Sequence, residues 1–254
     1  MKKLIYITGT LLLLSSTMQA QQFIDKAVIE FEVKTSIKKT MSNDIWGEMF
    51  KENMPEFKIG YFNYTFAGNK SLYKFSHWDE KAKMPQFMRE DDENHSWHSD
   101  FTAGKFTMQK FINGSSFVIE DSVPAINWKL TNENREIAGF NCRKAVGKIM
   151  DSVYVFAFYT DEITIPGGPC SVNGLPGMIL GLTIPRMYTS YIATKVTLSG
   201  VNEAAIKPAT AKKPYTFLSF RNYITDKSKD WYRWGDDTEE KQRMKSLAMW
   251  NIYL

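Results

Sequence analysis

The residues with chemical potential are few, and most fall in one stretch. All three histidines, His77, His95 and His98, lie there, among Asp79, Glu80, Glu90, Asp91, Asp92, Glu93 and Asp100. On a helix, the spacing of three between His95 and His98 sets both imidazoles on one face. Asp91, Glu93 or Asp100 would then complete a set for Zn²⁺ or Cu²⁺. This is far less specific than a paired signature such as HExxH, and solvated loop histidines are the simpler reading. A metal held by His77, His95 and His98 is therefore an alternative, and no other cofactor has a signature here.

The two cysteines, Cys142 and Cys170, take their meaning from the compartment. Met1-Lys2-Lys3 is a basic start, Leu4 to Leu14 is apolar, and Ser15 to Ala20 is small or polar, which is the three-part pattern of a secretory signal peptide. Cleavage after Ala20 predicts an exported mature chain, in the periplasm or on the outer side of the outer membrane. In that setting a Cys142–Cys170 disulfide is the first reading, with free thiols and metal ligands as alternatives. The bridge would stabilise the fold by roughly 3–4 kcal/mol on a chain-entropy model.

Signals for nucleophilic catalysis are weak. There is no Gly-x-Ser-x-Gly elbow, and the pair Gly114-Ser115 belongs to a hairpin turn. Cys142 would have to be unbridged and near a histidine. Asp236-Asp237 reads as helix capping, and the 13 methionines read as adaptable packing. The aromatic cluster Trp231-Tyr-Arg-Trp234 reads as a docking face or a recognition surface. Loss of residues 1–20 removes Lys2 and Lys3 and no acids, so the formal charge falls from +4 to +2. So small a charge favours neither nucleic acid nor an anionic membrane as partner.

The elements that must position these residues are mostly strands. Ala27 to Thr35 alternates Ile29, Phe31 and Val33 with Glu30, Glu32 and Lys34, the pattern of a half-buried antiparallel strand. Ser42 opens a short helix carrying Ile45, Met49 and Phe50. Phe57–Phe66 and Ser71–Ser76 form a hairpin, and the His77–Asp100 stretch is expected as a surface excursion. Asn113-Gly114 joins Phe106–Ile112 to Ser115–Glu120 in the clearest hairpin signal of the chain. Trp128–Leu130 is a short strand. Glu136–Lys148 and Val153–Thr160 read as the two arms of a hairpin, the second apolar on both faces and so covered on both sides. Tyr188–Leu198 is strand-like, one helical turn fits Asp226–Trp234, and residues 238–250 are an amphipathic C-terminal helix behind a capping box.

Between these strands lies Ile163 to Leu182, rich in Gly and Pro and ending in an apolar run. Leu175-Pro-Gly-Met178 matches a type II turn, and Met178 onward should enter the core. With no repeat and no linker, residues 21–254 read as a single domain. The expected fold is mainly β, with α+β possible: one curved antiparallel sheet, a barrel, half-barrel or sandwich, covered by one or two helices including the C-terminal one.

From Gly139-Phe-Asn-Cys-Arg-Lys-Ala145 through Phe158-Tyr-Thr160, Ile165-Pro166 and Gly168-Pro169 to Gly174-Leu175-Pro176-Gly177-Met178-Ile179, the chain resembles the GLPGLI family of exported Bacteroidetes proteins, whose role is unassigned. The specific part of the likeness runs from about Trp128 to Leu182. Met178 replaces the family's Leu, a volume-conserving change. Cys170 departs from the family pattern, so a bridge there would belong to a subset. The resemblance implies no catalytic residues, and the hexapeptide reads as a structural turn. The expected function is that of a non-catalytic envelope protein holding an apolar ligand, a peptide or a protein partner on an aromatic-rich sheet. The alternatives are the metal-binding protein above and a hydrolase with an unrecognised site.

Overall fold

The structure, a computed structural model, describes residues 23–254 except 42, 44, 82–83, 151 and 232–238. Among the described residues, eleven strands form one open antiparallel sheet. They are β1 (Lys26–Ser36), β2 (Phe57–Ala67), β3 (Lys70–Trp78), β4 (Ser96–Asp100), β5 (Lys105–Ile112), β6 (Ser115–Ser122), β7 (Lys129–Ile137), β8 (Phe140–Ile149), β9 (Val153–Thr160), β10 (Met178–Ile184) and β11 (Thr189–Thr197). Their order is β6-β5-β4-β3-β2-β1-β11-β10-β9-β8-β7. The chain therefore starts mid-sheet, meanders to one edge, crosses to the other and meanders back.

That crossing shows that the sheet curls. Only residues 123–128 separate β6 from β7, so at about 3.5 Å per residue the two ends lie within roughly 25 Å. Eleven flat strands at about 4.8 Å spacing would place these edges roughly 48 Å apart. Phe106 of β5 and Ile149 of β8 accordingly line one hollow, across the gap. The result is an open half-barrel with a concave inner face, one of the architectures expected from the run of strands.

Ala27, Ile29 and Phe31 point inward and are fully buried, and Tyr64 and Phe66 of β2 continue the core. Each such large side chain contributes about 1.5–3 kcal/mol by burial. A short helix, α1 (Ile45–Asn53), follows β1, and two longer helices close the arrangement. In α2 (Phe217–Trp231), Phe220 and Ile224 are buried, and Phe220 packs against Phe117 of β6. Thr216 caps α2, its hydroxyl accepting from Ser219 N at 3.1 Å. The helix α3 (Glu239–Tyr253) is tied down by Arg243, which donates to the carbonyls of Lys39 and Met41 at 3.1 and 3.0 Å.

Several local expectations are corrected. The arm expected over Glu136–Lys148 is broken by a tight turn at Ala138-Gly139, both at positive φ (51° and 85°). Alanine rarely takes that conformation, so the sequence concealed a hairpin whose geometry resembles that of Asn113-Gly114. The excursion from His77 to Asp100 contains β4, paired on both sides. Of the helical turn expected at Asp226–Trp234, the described part, 226–231, is the end of the longer α2. The outer face of β9 carries no second layer: Tyr154 is exposed, and basic side chains lie over the rings, Lys148 over Tyr154 at 5.0 Å and Arg135 over Phe158 at 4.7 Å. The signal-peptide segment, Ser42 and Asp236-Asp237 lie outside the described residues, and so do Tyr232 and Trp234 of the aromatic cluster.

Candidate functional site

The stretch between β9 and β10 lies inside the curl and forms a plug. Ile163, Ile165, Val172 and Leu175 are buried. The loop is closed on itself by Met178 N donating to Ile163 O, Ile179 N to Gly167 O and Gly174 N to Pro166 O, each at 2.9 Å. The expected type II turn is not formed. Gly177 N donates to Leu175 O at 2.7 Å, Met178 N is committed to Ile163, and Gly177 takes φ +141°. Within the hexapeptide Gly174–Ile179, Leu175, Met178 and Ile179 are buried, whereas Gly174 and Pro176 are exposed. Gly167 sits so tightly on the inner face that an added Cβ would overlap the Tyr64 hydroxyl. Beyond it the plug carries Cys170, itself at φ +54°, to Tyr73 and Tyr191.

Beside the plug is a cavity of about 570 Å³. Its apolar wall is Val33, Phe62, Ile112 and Ile252, the last from α3, with Phe62 stacked on Tyr73 at 5.1 Å. Its polar wall is Tyr73, His95, Lys110, Cys170 and Tyr191, with Lys58, Asp91 and Asp92 nearby. Strand parity explains Lys110: Phe106 and Met108 of β5 are buried inward, and Lys110 is the next residue of that row. Lys58 and Asp92 form an ion pair at 2.6 Å. Lys110 makes no ion pair within 4.0 Å among the described residues.

The polar groups here are poorly satisfied. Neither ring nitrogen of His95 has a partner in hydrogen-bond geometry, though the Gln109 backbone lies close, nor has the Tyr73 hydroxyl, which lies near the Cys170 thiol but outside hydrogen-bond geometry. Such orphans cost about 1–3 kcal/mol each unless water or a ligand meets them. Burial, with Lys110 adding to it, holds His95 well below the usual histidine range. Burial also lowers the Lys110 ammonium, an effect that Cys170, Asp92 and Asp91 partly offset. The Cys170 thiol is pushed up to about 11 by burial.

One consequence can be measured. A histidine kept neutral in the fold binds fewer protons than in the unfolded chain, so stability falls as pH drops below about 6.5. The slope per group is at most about 1.4 kcal/mol per pH unit, so His95 should cost no more than roughly 2 kcal/mol between pH 6.5 and 5. His98, also lowered by burial, acts in the same direction. Asp91, raised by burial, opposes them only nearer the carboxylate range. Urea midpoints of the wild type and His95→Phe over this window check it. The variant should show a flatter profile, and identical profiles would contradict the burial of a neutral ring.

The structure separates the residues expected to act together. The expected disulfide is absent: Cys142 and Cys170 are both free and buried. Cys142 is fixed on β8, its thiol donating to Phe140 O at 3.5 Å, while the plug holds Cys170 beside Tyr191 of β11. Three strand spacings, roughly 14 Å, separate β8 from β11, whereas a bridge needs Cα atoms about 4.4–6.8 Å apart. The Cys142 thiol is pushed up to about 12, mainly by burial, and a thiol held protonated is a poor nucleophile.

The histidines are dispersed too. His77 is exposed and stacks on Tyr61 at 4.6 Å. His95 lines the cavity, and His98 lines a separate hollow with Asp100. The segment is extended rather than helical, so a step of three reverses the face. Among the described residues no three His, Cys, Asp or Glu side chains gather as a metal set. Asp91 and Asp92 were within reach of the sequence reading, but Lys110, Lys58, Tyr73 and Tyr191 were missed. An inward lysine in the row Phe106, Met108, Lys110, Ile112 was the available signal.

No family model matches the chain, and no curated protein matches it. Among solved structures it is similar to PNGF-II in its P21 crystal form, at 13% identity over 79% of this chain and 33% of that one, with a TM-score of 0.53. The C2 form of PNGF-II gives 15% identity over 78% and 33%, with a TM-score of 0.49. An uncharacterized conserved protein from Thermus thermophilus gives 8% over 82% and 98%, with a TM-score of 0.36. The chain spans about a third of the length of PNGF-II, and at this identity the likeness to the P21 form is one of fold alone.

Proposed function

We propose that the chain is a non-catalytic binding protein of the cell envelope, whose half-barrel takes up a small ligand with an apolar body. The observation that carries this reading is the cavity of about 570 Å³ between the inner sheet face, the plug and α3. Its size lies within the range of small-molecule sites, and it combines an apolar wall with a few convergent polar groups, the usual design of such sites. The orphaned Tyr73 hydroxyl and His95 ring, both buried, support an occupant that supplies their partners. Both thiols are held protonated by burial, which favours binding over nucleophilic chemistry.

The setting rests on residues 1–20, whose pattern supports export, and on the run from Gly139 to Ile179, which supports membership of the GLPGLI family. No helix among the described residues is long and apolar enough to cross a membrane. Native mass spectrometry of the protein isolated from its own envelope tests the reading. A retained mass of a few hundred daltons, lost when Phe62→Trp narrows the cavity, is expected. Bare protein under gentle desolvation, with no uptake of added amphiphiles, would remove ligand carriage.

A further inference from the structure

We infer that the cavity's ligand is a small amphiphilic carboxylate, its head group held by Lys110, Tyr73 and His95 and its chain laid along Phe62, Val33 and Ile252. This deepens the binding reading and rests on it. Some of the cavity's polar groups are already answered. Lys58 is answered by Asp92 at 2.6 Å. Asp91 lines the cavity but reaches solvent, being exposed by surface area although partly desolvated by its surroundings. The Cys170 thiol lies close to both the Tyr191 and the Tyr73 hydroxyls. What remains is Lys110, without an ion pair among the described residues, and the partnerless Tyr73 and His95, which are 1% and 6% exposed.

The unanswered set is dominated by donors. An ammonium offers three, a tyrosine hydroxyl one, and a neutral imidazole one beside a single acceptor nitrogen. A donor-rich wall bearing one positive charge is complemented by a carboxylate, whose two oxygens accept about four hydrogen bonds and neutralise one charge. A phosphate monoester would bring a second negative charge, and the only other lysine of the cavity is engaged by Asp92. The opposite wall is apolar, so the ligand needs a hydrocarbon part as well as a head. Water has room, since the cavity equals roughly nineteen waters at about 30 Å³ each, but water gives the lysine no ion pair in contact, its nearby acids Asp91 and Asp92 acting on it only at longer range.

Lys110 responds to occupancy in a definite direction. Burial and the like charge of Lys58 lower its ammonium, and Cys170, Asp92 and Asp91 oppose them. A bound carboxylate favours the charged form, so binding takes up protons or weakens as pH rises through the Lys110 range.

Calorimetric titration of the mature protein with decanoate, decanol and decyl phosphate tests the inference. Decanoate is expected to bind at least tenfold more tightly than decanol and more tightly than decyl phosphate. Lys110→Met, which keeps the apolar stem, should bring decanoate to the level of decanol and leave decanol unchanged. Tyr73→Phe, which removes only the orphan hydroxyl and keeps the ring on Phe62, should weaken decanoate several-fold with the urea midpoint retained. That variant decides the matter if Lys110→Met does not fold. Decanol equal to decanoate, tighter binding of decyl phosphate, or decanoate affinity untouched by the folded variants overturns the carboxylate head while the cavity keeps its role. Failure of all three probes, with no retained mass from the envelope, overturns the binding reading itself.

Discussion

Replacing Gly177 by alanine is expected to lower stability by about 3–5 kcal/mol, whereas the same change at Gly174 should cost only about 1–2 kcal/mol. Both glycines belong to the hexapeptide and both have positive φ, +141° and +87°. The difference is space. A Cβ on Gly177 would overlap the Thr160 carbonyl oxygen and lie 2.8 Å from the Thr160 carbonyl carbon and 2.9 Å from Asp161 Cα. These are backbone atoms at the end of β9 and cannot step aside. A Cβ on Gly174 meets nothing nearer than the Trp128 indole nitrogen at 3.8 Å, so only the left-handed backbone penalises it. Urea unfolding of the two variants measures the contrast. Equal losses would show that conformation alone, and not the approach of β9, keeps glycine at 177.

The same region shows how far sequence reasoning reached. Period-two alternation located β1, because inward and outward positions differ in polarity and the period of a strand is fixed, and hairpin signals located β2 and β5. Gly and Pro marked the 163–182 stretch as special, but turn chemistry is local. It does not say that the loop lies inside the curl, and the hydrogen bond from Met178 to Ile163 overrode the expected turn. The cysteine pair was misread for a related reason: compartment and even count favour a bridge, while Cα separation is set by which strands neighbour each other. Metal ligation by His95 and His98 assumed a helix, and an extended chain sends the two to opposite faces. Lys110 was legible in the parity of β5, yet only the fold shows that none of the described carboxylates comes within ion-pair distance of it.

Gly167→Ala should be the second large loss, about 3 kcal/mol, and unlike Gly177→Ala it should be repairable. The obstacle is a side chain, since the added Cβ would overlap the Tyr64 hydroxyl and come within 2.8 Å of its Cζ. Tyr64 is 2% exposed and cannot swing away, so overpacking displaces the plug. Its hydroxyl has no hydrogen-bond partner, that of Ser71 being close but outside hydrogen-bond geometry. Tyr64→Phe alone should therefore be neutral or stabilising by up to about 1 kcal/mol. In the double variant the hydroxyl overlap is gone and the Cζ contact remains, so roughly half the loss should return. A double-mutant cycle in urea reads that coupling. Additive losses would show that the plug yields elsewhere than at Tyr64. The cycle also bears on function, because the segment that rests on Tyr64 delivers Cys170 to Tyr73 and Tyr191. If the plug forms the cavity floor, Gly167→Ala should abolish uptake of the amphiphile, and the added Tyr64→Phe should restore binding together with stability.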